Sequence, residues 1–282
     1  MKCVNCNNCG GSYINSYHSG CRGSKLVLIN EDNPVLYGIE NELYFKSSVK
    51  DVCASKQIKD AFIRRKLECT VEWDGSVHNG FEVISQPMSF EIMKKHDFFT
   101  TFWDVRDWLR TTGTGAGMHI HMSHNHLTEV DIAKIIYFYS DINNKAFIEK
   151  INGRCATSYC EFGQYNNPIN SAEQIKSGNY SGYRYQLNFN NIGRIEFRGF
   201  KSTVRPERVL KNVQYLRYLT FFVKNVDYIE LTEKRFIEIL MSTDISAYFE
   251  LKSWLRLVDS VPVHIGDDTI RQLLMYEINQ NK

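Results

Sequence analysis

What the sequence lacks narrows its function first. It has almost no net charge: 34 lysines and arginines against 32 acids leave a formal +2 over 282 residues. That is too little for bulk attraction to nucleic acid. It contains no apolar run approaching the roughly 20 residues that cross a bilayer. Its opening, Met1-Lys2-Cys3, is without the apolar segment of a secretory leader. A soluble, cytoplasmic protein with neither membrane nor nucleic acid as partner is therefore expected. In that compartment the eight cysteines read as thiols or metal ligands, not as a disulfide framework. What the chain does have is 43% apolar residues, enough for a real core in one large or two modest domains.

Residues 1–24 form a cysteine-rich arm. Cys6-x-x-Cys9-Gly10 and His18-x-x-Cys21 make two knuckles, whose Cys6, Cys9, His18 and Cys21 would hold a structural Zn²⁺ tetrahedrally. Cys3 is a spare that could replace one of them. A flexible leader is the alternative, but so short a segment cannot fold on hydrophobic burial, and metal explains its composition better. Cys53, Cys69, Cys155 and Cys160 are scattered and read as buried free thiols.

Residues 25–282 make the main domain, helical over 205–282. Its strongest feature is residues 113–123, G-T-G-A-G-M-H-I-H-M-S. As a strand, this run sends His119 and His121 to one face and Met118, Ile120 and Met122 to the other. The glycines before it permit close approach of backbone or ligand. Strands are also expected at 26–29 and 35–45, the latter carrying Glu40 and Glu42 two apart and so facing the same way. Like charges side by side are costly unless a cation lies between them or solvent screens them, and the pattern alone leaves both open. A hairpin over 69–73 and 80–85 presents Asp74 at one shoulder and Glu82 on the partner strand, amid apolar neighbours that demand a partner for its carboxylate. A second hairpin, 183–190 and 194–200 over Asn191-Ile192, aligns Arg194, Glu196 and Arg198; a surface charge ladder would give the same pattern. Residues 47–66 read as loop and solvated helix. Helices are expected at 89–112, from a Thr128 cap through 151, and at 206–224, 233–241, 246–257 and 268–278. His124 and His126 read as capping or surface residues. Residues 152–181 form a long polar loop of the kind that carries specificity.

Together these strands suit an α+β fold: a curved antiparallel sheet with one site-bearing face and helices behind. Carboxylates with imidazole suit Mg²⁺ or Mn²⁺, and arginines suit phosphate oxygens. The chain resembles the amidoligase family of the carboxylate–amine ligase superfamily, which includes glutamine synthetase and glutamate–cysteine ligase. Four segments carry the likeness, in order over residues 37–203: Gly38-Ile-Glu40-Asn-Glu42; Asp74 to Glu82-Val-Ile-Ser-Gln-Pro87; Gly115-Ala-Gly-Met-His119-Ile-His121; and Tyr185-Gln-Leu-Asn188 leading to Arg194-Ile-Glu196-Phe-Arg198. The third is similar to the glutamine synthetase G-S-G-M-H-x-H signature, the fourth to its R-x-E-x-R strand.

The resemblance implies a glutamine synthetase-like catalytic domain that uses ATP and two ions, Mg²⁺ or Mn²⁺. It implies that Glu42, Asp74 and Glu82 bind one ion and Glu40, His119 and Glu196 the other. Arg184, Arg194 and Arg198 would contact phosphates or the carboxylate substrate, with Asn188 also toward the nucleotide. His121 falls on a signature position with its role open. Asp74 stands where glutamine synthetases carry Glu; it is one methylene shorter, so it would reach an ion through water. The residues that build an ammonia site have no counterpart, so the implied nucleophile is a primary amine. ATP would phosphorylate a carboxylate to an acyl phosphate, and the amine would displace phosphate to give an amide, with amino acids or peptides favoured as substrates. A guanidino or other small-molecule kinase on the same scaffold, and a zinc-bearing non-catalytic binding protein, are the alternatives. Oligomers occur among relatives of this kind.

Overall fold

Alternation decides the architecture. Ile39, Asn41 and Leu43 are wholly buried on one side of their strand, which turns Glu40 and Glu42 to the other. The same period of two runs through 71–74, 81–83, 118–122 and 195–197, so these strands can close one sheet with an apolar side and a polar side. The structure, a computed structural model, describes residues 35–46, 51–74, 80–111, 115–158, 160–163, 167–180 and 185–257. The knuckle residues Cys6, Cys9, His18 and Cys21, the spare Cys3, Arg184, the strand expected at 26–29 and the helix expected at 268–278 lie outside the described residues.

The elements in chain order are β1 (Leu36–Phe45), α1 (Asp51–Arg64), β2 (Cys69–Asp74), β3 (Gly80–Ser85), β4 (Met88–Ser89), α2 (Phe90–Lys95), β5 (Leu109–Arg110), β6 (Gly117–Ser123), α3 (Glu129–Ser140), α4 (Lys145–Asn152), α5 (Pro168–Lys176), β7 (Leu187–Asn188), β8 (Arg194–Lys201), α6 (Pro206–Asn225), α7 (Glu233–Ser242) and α8 (Phe249–Trp254). Among the described residues the fold is α+β. The sheet runs β2-β3-β1-β6-β8-β7, with β4 and β5 also on β1, and every pairing is antiparallel. Helices cover its apolar face: Tyr139 of α3 packs on Phe197, and Tyr215 of α6 on Phe200. Asn212 and Thr220 of α6 each reach a methionine sulfur of β6, Met118 and Met122, at 3.5 Å. Asn41, polar yet on the covered face, donates to Thr203 O at 2.9 Å and accepts from Ser202 Oγ at 3.1 Å. Those bonds fasten β1 to the chain leaving β8, and they satisfy a buried amide that would otherwise be costly.

Several expected boundaries shift for local reasons. The single helix at 89–112 is only α2, a short 3-10 turn at Phe98–Thr100, further turns and β5. Asp97 adopts φ +51, which ends the helix. Arg65 then grips the bend by donating to Asp97 O, Thr100 Oγ1 and Asp104 Oδ2 at 2.8, 2.7 and 2.6 Å. The phenylalanines at 98, 99 and 102 pack as an edge-on cluster with Phe62, so their spacing reflects that cluster and not a helical stripe. The helix expected through 151 breaks at Asp141, whose side chain accepts from Asn143 N at 2.9 Å and starts a new turn. Inside the expected loop lies α5, capped by Asn167 with Pro168 in its first turn. The helix expected at 246–257 is a 3-10 turn followed by α8. Of the four scattered thiols Cys160 is buried but Cys155 is exposed.

Candidate active site

The sheet's register lines up the polar side chains. Glu72 on β2 is opposite Glu82 on β3, which is opposite Glu42 on β1. Glu40 is opposite His119 on β6, His121 is opposite Glu196 on β8, and Glu196 is opposite Asn188 on β7. Directly opposed residues share a face. Asp74 follows Glu72 by two and joins the same side. Sequence positions as far apart as Glu40 and Glu196 therefore meet on one surface because six strands are in step. Between Met118 and Ile120 the register of β6 against β8 slips, and the extra residue lies on β8 around Arg198 and Gly199.

At the centre, His119 Nδ1 is 3.6 Å from both Glu40 Oε2 and Glu196 Oε1, and its Nε2 is 3.4 Å from Glu42 Oε1. His121 Nε2 is 3.1 Å from Glu40 Oε1. Arg198 Nη1 donates to Glu196 Oε1, and Asn188 Nδ2 donates to Glu196 Oε2 at 2.6 Å. The Gly117 amide donates to Glu42 Oε2 at 2.5 Å. Beneath this, Arg154 reaches Gly199 O, Arg198 O and Ala116 O at 2.9, 2.8 and 3.3 Å, bracing β8 at its slip against the start of β6.

The charges answer one another. Burial opposes ionisation of Glu40, yet contact with His119 and His121 holds its carboxyl well below the usual range. Burial would likewise discharge His119, but Glu40, Glu42 and Glu196 raise it above its ordinary value against the opposition of Arg198. Glu196 is lowered in turn: burial and Glu40 work against its charge, and His119, His121 and Arg198 outweigh them.

Could these residues hold cations? Glu40, His121 and Glu196 each offer one ligand atom, and those atoms lie within 4.8 Å of one another. Ligand bonds of about 2.0–2.2 Å put atoms on opposite sides of one ion roughly 4 Å apart, so the trio is near the required span. Nδ1 of His121 is buried without a hydrogen-bond partner, and its Nε2 meets Glu40 Oε1, so the ring has a nitrogen to spare for a metal. Two carboxylates and an imidazole fit Mg²⁺ or Mn²⁺. Beside them stand the carboxylates of Glu42, Asp74 and Glu82, all buried.

The arrangement differs from expectation in its details. His121, not His119, completes the converging trio with Glu40 and Glu196. Asn188 commits its amide to Glu196 and its carbonyl to Asn190 N at 3.1 Å, so it positions an acid. Arg194 is exposed at the first position of β8, away from the central contacts. His124 is buried and neither caps nor lies on the surface; Thr128 and Asp131 form the cap. Burial lowers the pKa of His124, and burial with Lys224 takes His126 to about 4. Three participants escaped sequence reasoning. Glu72 is fully buried in register with Glu82, and its spacing of two from Asp74 was the available signal. Asn191 Nδ2 lies 3.4 Å from Glu196 Oε2. Arg154 reaches its place through tertiary contacts, with no local signal.

No family model matches the sequence, and neither does any curated protein. Among solved structures the chain is similar to one in the crystal structure of the complex between prokaryotic ubiquitin-like protein Pup and its ligase PafA. That likeness has a TM-score of 0.32 and 10% identity over 86% of this chain, and this chain spans 61% of the matched one. At that level it says nothing of activity. No helix among the described residues is long and apolar enough to cross a membrane.

Proposed function

We propose that the protein is an ATP-dependent carboxylate–amine ligase that forms an amide through an acyl phosphate. One observation carries the reading: a single sheet face gathers Glu40, Glu42, Asp74, Glu82, His119, His121 and Glu196, with Arg198 bonded to the last. In this reading Glu40, His121 and Glu196 hold one Mg²⁺ or Mn²⁺, with His119 beside them. Glu42, Asp74 and Glu82 hold the other, and Glu72 is a further acid at its edge. Bound ions would neutralise charge on the γ-phosphoryl group.

The chain's own residues do the rest. Arg198 is anchored on Glu196 through Nη1 while its buried Nε has no hydrogen-bond partner. That leaves an N–H for a phosphoryl or acyl-phosphate oxygen as charge develops. Asn188 fixes the Glu196 carboxylate, and the Gly117 amide fixes Glu42. Arg194, on the rim, and Arg184 would meet the substrate's carboxylate. A substrate carboxylate oxygen bonds to the γ-phosphorus as ADP departs. A primary amine then bonds to the acyl carbon, phosphate leaves with the electron pair of the C–O bond, and the nitrogen gives up one proton to the departing phosphate. An amino acid or peptide suits both substrate roles.

The test is ADP formation by the full chain with ATP and Mg²⁺ across a panel of acids and amines. ADP release that needs both an acid and an amine, with amide product, is expected, and Glu196→Gln should stay folded and lose turnover. A stable phosphorylated product without amide would assign a small-molecule kinase. One bound zinc with no nucleotide effect on unfolding would assign a binding protein with a vestigial sheet site.

A further inference from the structure

Away from the acidic face, where β8 ends, a cavity of about 120 Å³ opens between the end of α4, α6 and α8. It is lined by Lys201, Arg208, Lys211, Asn152, Asn212 and Trp254. We propose that this cavity is a binding site for a small oxyanion of phosphate or sulfate size, separate from the candidate active site and independent of the ligase reading.

Positive charge deepens toward the cavity's floor. Lys201 is exposed at the mouth, Arg208 is half-buried, and Lys211 is only 3% exposed. Among the described residues none of the three makes an ion pair. The Lys211 ammonium donates to Ile151 O and faces the rings of Trp254 at 4.6 Å and Phe200 at 5.7 Å. Arg208 lies over the same Trp254 ring at 5.5 Å. Burial and the neighbouring Arg208 lower Lys211 to about 7. Burial and Arg205 lower Arg208, with Glu207 opposing.

Cations that converge on one small hollow without a counter-charge repel one another and resist burial. An oxyanion removes both difficulties, since its oxygens can accept from the N–H donors of the cationic side chains that line the cavity. Size limits the choice. Pockets for drug-sized ligands begin at about 300 Å³, so this one fits an inorganic ion, or the terminal phosphate of a larger molecule that enters past Lys201.

The test is calorimetric titration of the full chain with sulfate at pH 8, in two buffers of different ionisation enthalpy. Sulfate stays fully ionised there, so any proton uptake belongs to the protein. One binding event with uptake of a large fraction of a proton is expected, because the anion recharges Lys211. Lys211→Met and Arg208→Gln should each weaken sulfate at least tenfold and leave Mn²⁺ affinity unchanged, and Arg208→Gln serves alone if the buried variant does not fold. Competition by inorganic phosphate but not by AMP would identify a free ion as the source; equal competition would identify a nucleotide's phosphate. Absence of sulfate heat, binding without proton uptake, or binding that survives Arg208→Gln would overturn the proposal.

Discussion

Gly117 and Arg154 should fail together less badly than they fail apart. A Cβ on Gly117 would stand 2.6 Å from Arg154 Nη2, 2.9 Å from Nη1 and 3.0 Å from Cζ. The guanidinium cannot swing aside freely, because it donates to Gly199 O, Arg198 O and Ala116 O. Gly117→Ala must therefore break those bonds or displace β6, and overpacking of this kind costs about 1–3 kcal/mol. Arg154→Ala gives up the charged donor; with the side chain part-exposed, about 2 kcal/mol is a fair expectation. With Arg154 shortened the three atoms nearest the new methyl are gone, so the double variant should be more stable than the summed single costs by about 1–2 kcal/mol. Urea unfolding of the four proteins, followed by far-ultraviolet circular dichroism, measures this coupling. Gly178→Ala is the control: φ +73 strains the backbone, nothing lies within 4 Å, and no coupling to Arg154 should appear. Costs for Gly117→Ala and Arg154→Ala that add to within about 0.5 kcal/mol would refute the reasoning.

Asn188→Ala should weaken Mn²⁺ binding roughly 10- to 100-fold by freeing the Glu196 carboxylate, with the fold kept; electron paramagnetic resonance titration reads it, and an unchanged affinity contradicts the positioning role. The raised His119 should contribute stability that is complete below its ordinary value of 6.5 and lost as pH climbs through its folded value. In EDTA the urea midpoint should therefore decline as pH rises past 6.5, and His119→Gln should flatten that decline. Glu40 and Glu196 are depressed, so their contribution holds above about 4.5 and is lost as pH falls through their folded values; an acid limb untouched by Glu40→Gln would count against the ion pairs. Asp131→Ala removes half of the capping box at α3 and should cost about 1 kcal/mol, a melting decrease of roughly 2–4 °C by calorimetry.

Sequence period alone fixed the strands that matter. Glu40 and Glu42 lie two apart, as do His119 and His121, and each strand's apolar residues fall between them, so the face each occupies could be read before any pairing was known. Which imidazole converges with Glu40 and Glu196 could not, because that depends on the pairings that set His119 opposite Glu40 and His121 opposite Glu196, and on the slip at Arg198 and Gly199. Phe98 and Phe102 misled in the opposite direction within the helix expected at 89–112, since their spacing cannot separate a helix stripe from a cluster built around Phe62. The break at Asp97 is invisible without Arg65, 32 positions earlier. The start of α5 was legible: Asn167-Pro168 is a cap followed by a first-turn proline, overlooked amid polar composition. Arg154 had no local signature, since its acceptors are backbone oxygens of two distant strands.

Among the residues named on the polar face carboxylates outnumber cationic side chains, and that bears on what the site needs. On β1, β6 and β8, imidazoles and a guanidinium interleave with Glu40 and Glu196. On β2, β3 and β1, Glu72, Glu82 and Glu42 stand in register on neighbouring strands, at 0%, 6% and 5% exposure. Carboxylates on opposed strand positions are about 5 Å apart. At an effective dielectric near 20, two unit charges at that distance repel by about 3 kcal/mol, so two such neighbours approach the 5–15 kcal/mol that a whole domain has to spare. Donors of the chain, such as His119 and the Gly117 amide on Glu42, relieve part of that repulsion, and a bound cation would relieve more. A divalent ion would relieve it while keeping the acids ionised for chemistry, and binding at 100 times Kd stabilises the fold by about 2.7 kcal/mol. Mg²⁺ or Mn²⁺ should thus raise the unfolding midpoint at pH 8. A midpoint indifferent to either ion would mean that this row of acids is balanced from within the chain and that the face is no metal site.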